Sequence, residues 1–127
     1  GDTVGLLEAK FPNSAAAGQR IAVALLWKAN RTSDGNWQRF VHLDDGNRAQ
    51  PQVVAQSDAI PANGYGVSLW QIGEVVPDQA VLALPPNLPP GSYALWVGFA
   101  ASSGSRVAIS GGDNQDGRLY LGEIIVH

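Results

Sequence analysis

Along most of this chain apolar and polar residues alternate with period two, the spacing of strands that bury one face. The clearest run is 21–28, with Ile21, Val23, Leu25 and Trp27 on one face and Ala22, Ala24, Leu26 and Lys28 on the other. The same alternation predicts strands over 4–11, 37–43, 52–56, 75–84, 93–99 and 118–126, with a shorter run at 106–109. Pro51 at the head of the fourth suits an edge strand, and Pro77-Asp78 interrupts the fifth. Between the runs lie turn clusters: N-R-T-S-D-G-N at 30–36, D-D-G-N at 44–47 and S-G-G-D-N-Q-D-G at 110–117. The stretch 58–73 is long and irregular, and L-P-P-N-L-P-P-G at 84–91 is a stiff corner closed to helix.

Seven or eight short strands without a helix predict an all-β fold. The form expected is an antiparallel β-sandwich of immunoglobulin or fibronectin-III type with Greek-key connections, residues 1–127 making a single domain. Leu88-Pro89-Pro90-Gly91-Ser92-Tyr93 sharpens that reading. Its L-x-x-G-x-Y spacing is that of a tyrosine corner, where a tyrosine hydroxyl turns back onto the preceding loop.

Composition fits: 127 residues, 45% hydrophobic, with 15 glycines and eight prolines to punctuate strands. A net charge of −3 disfavours a nucleic-acid partner, which requires a basic surface. Having no cysteine, the chain has no disulfide and no thiolate metal site. No apolar run reaches the ~20 residues of a spanning helix, so no membrane insertion by this segment is expected. The chain has no methionine and reads as a fragment of a longer protein or a mature chain.

Candidate chemistry is sparse. His42 is the one internal histidine. It sits mid-strand beside Phe40, reads as a satisfied, half-buried structural residue, and has no G-x-S-x-G nucleophile in the sequence to serve. Asp44 and Asp45, adjacent in a turn, read as solvated rather than as a glycosidase pair. No enzyme is expected, and no cofactor. Asp113 and Asp116 are the one candidate calcium site, but their D-x-x-D-G spacing is not that of an EF-hand loop and suits a polar hairpin turn.

The aromatics carry more. Trp27 belongs to the core by phase, and Trp37 is placed to be the inter-sheet tryptophan of such folds. Trp96 alternates out of phase with Tyr93, Leu95, Val97 and Phe99 and so should face outward. Trp70 and Tyr65 lie in the irregular stretch with Gln71 and Asn63. Together these residues could stack and hold a sugar, or contact the parent protein or another protein; Trp70 could also fold back as a plug over the sandwich end.

The run from Leu69 to Phe99, the segments A-V-A-L-L-W-K-A (22–29) and F-V-H-L-D-D (40–45), and the ending Y-L-G-E-I-I-V (120–126) carry a resemblance. In order and over most of the chain, they resemble the soluble C-terminal β-sandwich domains of bacterial multi-pass membrane proteins similar to protein-mannosyltransferase-type glycosyltransferases. The stretch 56–66 departs from that pattern. The resemblance implies a non-catalytic, extracytoplasmic accessory or interaction domain of a larger, membrane-bound, sugar-handling protein, and it brings no catalytic residues. The alternative is a carbohydrate-binding module using the exposed aromatics.

Overall fold

The computed structural model describes residues 3–33, 35, 37–47, 49–115 and 117–127, with the backbone alone for 113–115. Its strands are β1 (Val4–Lys10), β2 (Ser14–Ala15), β3 (Arg20–Ala29), β4 (Gln38–Asp44), β5 (Val53–Ala59), β6 (Val75–Ala83), β7 (Gly91–Ala100), β8 (Arg106–Val107), β9 (Ile109–Ser110), β10 (Asp113–Gln115) and β11 (Arg118–Val126). They form two sheets. Sheet A runs β6-β3-β1-β9; sheet B runs β10-β11-β7-β4-β5, with β2 on β11 and β8 on β7. The fold is a β-sandwich.

Four details differ from the sequence reading. The run at 106–109 divides, β8 joining sheet B through β7 and β9 joining sheet A through β1. The 110–117 turn contains β10, paired with β11. Two pairings are parallel, β1 with β9 and β2 with β11, so the sheets are not wholly antiparallel. Finally, Pro77-Asp78 does not break β6, which stays in register with β3 from Val75 to Ala83. Proline is tolerated there because β6 is the edge of sheet A and needs no N–H on its open side.

The inward phases fill the space between the sheets. Val23, Leu25 and Trp27 of β3 and Val76, Ala80 and Leu82 of β6 meet Val41 and Leu43 of β4 and Leu95, Val97 and Phe99 of β7. Phe99 is the aromatic centre, with Trp27 at 4.8 Å and Trp37 and Trp70 each at 6.3 Å between ring centroids. Trp27, fully buried, is the central inter-sheet tryptophan, while Trp37 packs half-buried at the margin. At the opposite end Tyr93 donates its hydroxyl to the Pro89 carbonyl at 2.7 Å and ties β7 to the proline-rich corner. That is the geometry the L-x-x-G-x-Y spacing predicts.

One charged pair interrupts this apolar interior. Asp78 takes an inward position on β6, and its Oδ2 accepts Arg39 Nε at 2.9 Å and the Trp27 indole N–H at 3.2 Å. Its Oδ1 accepts the amides of Ala62 at 2.9 Å and Gln79 at 2.8 Å. Arg39 then reaches the carbonyls of Ser57 on β5 at 3.4 Å and Gln79 on β6 at 3.3 Å. One guanidinium therefore bridges the edge strands of both sheets along one side of the sandwich.

Candidate functional site

Two places on this scaffold present side chains that the core does not use. The first is the β5–β6 connection at one end of the sandwich. It begins with a turn at Pro61–Gly64 in which Ala62 and Asn63 both adopt left-handed backbone, φ +52° and +57°. That conformation disfavours alanine, and the Ala62 amide is held in it by Asp78. A 3-10 turn, Val67–Leu69, follows. Trp70 then folds inward, 2% exposed, with its indole N–H donating to the Tyr65 carbonyl at 2.8 Å. Trp70 is a plug over the sandwich end, so a stacking platform cannot be built on it.

The rest of the connection is pinned around Glu74. The Tyr65 hydroxyl donates to Glu74 Oε2 at 2.8 Å, and Glu74 Oε1 accepts the Gln71 amide at 2.9 Å. The bond it donates to the Glu74 carboxylate raises the Tyr65 phenol above its ordinary pKa. A β-turn over 71–74, closed by the Glu74 amide on the Gln71 carbonyl at 2.9 Å, has Gly73 in its third position at φ +85°, where glycine is favoured. The Gly73 amide is bound in turn to the Ala29 carbonyl at 2.7 Å. At the tip of this fixed turn Ile72 is 68% exposed, flanked by Leu69 at 61% and Val75 at 47%. Tyr65, Asn63 and Gln71 are exposed around it. Of the residues singled out from the sequence this end collects Tyr65, Trp70, Gln71 and Asn63, while the apolar tip of Leu69 and Ile72 was not foreseen.

The second place is the outward face of sheet B. Trp96 lies there, as its phase predicts, but is 1% exposed. The Arg118 guanidinium covers its ring at 4.3 Å and the Tyr120 ring packs at 5.2 Å. Arg118 also donates from Nη1 to Asp44 Oδ2 at 3.2 Å. This corrects the reading of Asp44 as a solvated turn residue: it is buried and ion-paired, whereas Asp45 is exposed and accepts the Asn47 and Gln52 amides. Those two bonds hold the Asp45 carboxyl below its ordinary pKa. A Trp96 so covered has no ring face left for a sugar or a partner.

Beside Trp96 the strand register sets out a lattice of side chains. Gln56, His42, Trp96 and Tyr120 lie in one cross-strand row; Asp58, Phe40 and Gly98 lie in the next; Gln38, Ala100 and Arg106 follow. Gly98 is required, since a Cβ there would run into the Phe40 ring, which lies across it. His42 packs on Phe40 at 4.6 Å, and the Arg106 guanidinium stands 5.4 Å over Phe40. Gln38, Phe40, His42, Asp58, Ala100, Gly104 and Arg106 enclose an open hollow of about 180 Å³. His42 is half-buried, as expected, yet its Nδ1 is buried without a hydrogen-bond partner, so the ring is not the satisfied one the sequence suggests. Burial first, then the charges of Arg118 and Arg106, push the imidazole below its ordinary pKa against the opposing pull of Asp58 and Asp44. Among the described residues no acid orients Nδ1, so none gives the ring the support a general base requires.

The calcium candidates fall at the margin of the description. Asp116 lies outside the described residues, and Asp113 is seen only as backbone in β10. Among the described residues no group of three or more acidic or histidine side chains is placed to hold a metal ion. Among them also, no helix is long and apolar enough to cross a membrane.

No protein-family model matches the chain. No curated protein matches it either. Among solved structures, it is similar to a Niemann-Pick type C2 protein from the Japanese carpenter ant, with a TM-score of 0.67 over 100% of this chain and 96% of that one. At 9% identity the likeness is one of fold, extending over nearly the whole of both chains.

Proposed function

We propose that this is a non-catalytic, extracytoplasmic accessory domain that docks on another protein, its own parent or a partner, through the Leu69–Ile72 end. The observation that carries this reading is the pairing of exposure with rigidity. Leu69 and Ile72 are the two most exposed of the large apolar side chains. They stand on a turn held by Glu74, Gly73 and the buried Trp70. A preorganised turn loses little conformational freedom on binding, and a projecting aliphatic residue is the kind of anchor that fills a partner's pocket.

The finer statement of the fold belongs with this proposal. β1, β3 and β6 in one sheet against β5, β4, β7 and β11 in the other, with a tyrosine corner leading into β7, support an immunoglobulin or fibronectin-III-like domain with Greek-key connections. A membrane-bound, sugar-handling parent is supported by the sequence resemblance alone, and the extracytoplasmic location rests on it as well.

The test places a photoreactive phenylalanine analogue at position 72 and, as a control, at the exposed position 103, in the protein as its own cells make it. One discrete cross-linked species from position 72, absent from position 103 and abolished by Leu69→Asp, is the expected result. Equal adducts at both positions would remove the docking reading.

A further inference from the structure

The hollow on the outward face of sheet B is independent of the docking end and has a different character. We infer that it is a binding subsite for one neutral, polyhydroxylated ring, a single pyranose-type sugar residue, held by Gln38, His42, Asp58 and Arg106.

Four observations lead there. First, His42 is a half-buried residue that lines the hollow. Its Nδ1 is closed off from solvent, which leaves Nε2 as the ring nitrogen a ligand can reach. A hydroxyl answers either imidazole tautomer, because it both donates and accepts.

Second, the lining has no net charge to select an ion. Asp58 and Arg106 oppose one another, and the lowered pKa of His42 keeps that ring neutral at neutral pH. An anion meets Asp58 and a cation meets Arg106. A ring of hydroxyls can donate to the one and accept from the other, and Gln38 offers both functions.

Third, the size suits one ring. About 180 Å³ lies below the roughly 300–1,000 Å³ of sites for drug-sized molecules, so the hollow encloses one ring, and the rest of any longer ligand would lie outside it.

Fourth, the walls are small. Ala100 and Gly104 leave the space open, and the Gly98–Phe40 packing sets its floor.

The larger groove on the outward face of sheet A, about 310 Å³, does not compete. Its Glu8 and Lys10 are paired with each other at 3.3 Å, and the carboxylate of its Asp78 is turned inward onto Arg39 and Trp27. The hollow also differs from the sugar site first expected, since it uses neither Trp70 nor the face of Trp96.

The experiment follows the imidazole nitrogens of His42 by NMR in the whole chain, His127 serving as internal control. Glucose, mannose, galactose and N-acetylglucosamine are titrated separately, with sodium phosphate and lysine as charged controls. At least one sugar is expected to shift His42 saturably, with millimolar affinity, leaving His127 and the Ile72 methyls unmoved. Asp58→Asn and Arg106→Gln alter exposed side chains, and each should weaken that binding about tenfold or more, since each removes a charge-assisted hydrogen bond. Two outcomes overturn the assignment: a His42 that no sugar moves at any attainable concentration, or one moved equally by phosphate or lysine. Neither bears on docking through Ile72.

Discussion

Arg39 and Asp78 face each other across the two sheets at 2.9 Å, both almost wholly buried. Burial alone would raise the Asp78 carboxyl. The hydrogen bonds from Arg39, the Ala62 amide and Trp27, with the charge of Arg39, reverse that and bring it below its ordinary pKa. A buried pair is worth little against apolar replacements of the same volume, but removing one partner strands the other. Asp78→Ala should therefore destabilise the domain by about 3–5 kcal/mol. Urea unfolding would show a lower midpoint at unchanged slope. Replacing Arg39 and Asp78 together by methionine and leucine should recover most of that loss.

Acid should weaken the fold in two steps. His42 has a folded pKa below its ordinary 6.5, so the unfolded chain binds its proton first. Its contribution is complete above about pH 6.5 and is lost as the pH falls below it. Asp78 likewise sits below its ordinary 3.8, so its contribution holds above that value and disappears as the pH falls towards the folded pKa. Around His42 the charged groups are Asp44 on its own strand, Asp58 on β5, Arg106 on β8 and Arg118 on β11. Urea midpoints followed from about pH 8 to pH 3 should show the upper step and the onset of the lower one, and His42→Gln should abolish only the upper one.

Plug and tip separate cleanly by mutation. Trp70→Ala leaves a cavity beside Phe99 and should cost about 3–5 kcal/mol. Ile72→Ser alters an exposed side chain and should change stability by no more than about 0.5 kcal/mol. A thermal melt in which both variants lose stability alike would mean that the turn is structural.

Gly98→Ala probes the floor of the hollow. The added methyl group displaces the Phe40 ring, which should cost about 1–3 kcal/mol and alter the His42 resonances. Pairing it with Phe40→Ala should restore neither the stability nor the hollow, since the buried ring that forms its floor is then gone and the new methyl group still meets the Gly117 carbonyl.

Much of the fold is legible in the sequence because period-two alternation reports burial directly. The long strands fall where Ile21 to Lys28 and Tyr93 to Phe99 place them, and the L-x-x-G-x-Y spacing delivers the Tyr93–Pro89 bond. Alternation is silent about charge pairing over long distance. Arg39 shares a phase with Val41 and Leu43, and Asp78 with Val76, Ala80 and Leu82; two charges on inward phases were the available sign that they meet. Asp44 was misread for a related reason, since a turn aspartate looks solvated unless Arg118, 74 residues on, is known to reach it. Trp96 faces outward as its phase requires, but phase cannot say that Arg118 and Tyr120 will cover it. Nor does it foresee the hollow, whose lining assembles from β4, β5, β7, β8 and the Gly104 turn through register alone.

The bridge made by Arg39 bears on how copies of this domain tolerate crowding. Along β6, Pro77 has no N–H to offer, and Gln79 has its amide on Asp78 and its carbonyl on Arg39. An incoming peptide therefore meets a stretch of edge where Pro77 offers only its carbonyl and both backbone groups of Gln79 are taken, a poor template for a further strand. Strand addition is nearly blind to sequence, since it is made by backbone. Contacts between side chains can be retuned one residue at a time. With that stretch of edge largely occupied, association there is left mainly to side chains, and the domain can be displayed at high local density without neighbours zipping together along it.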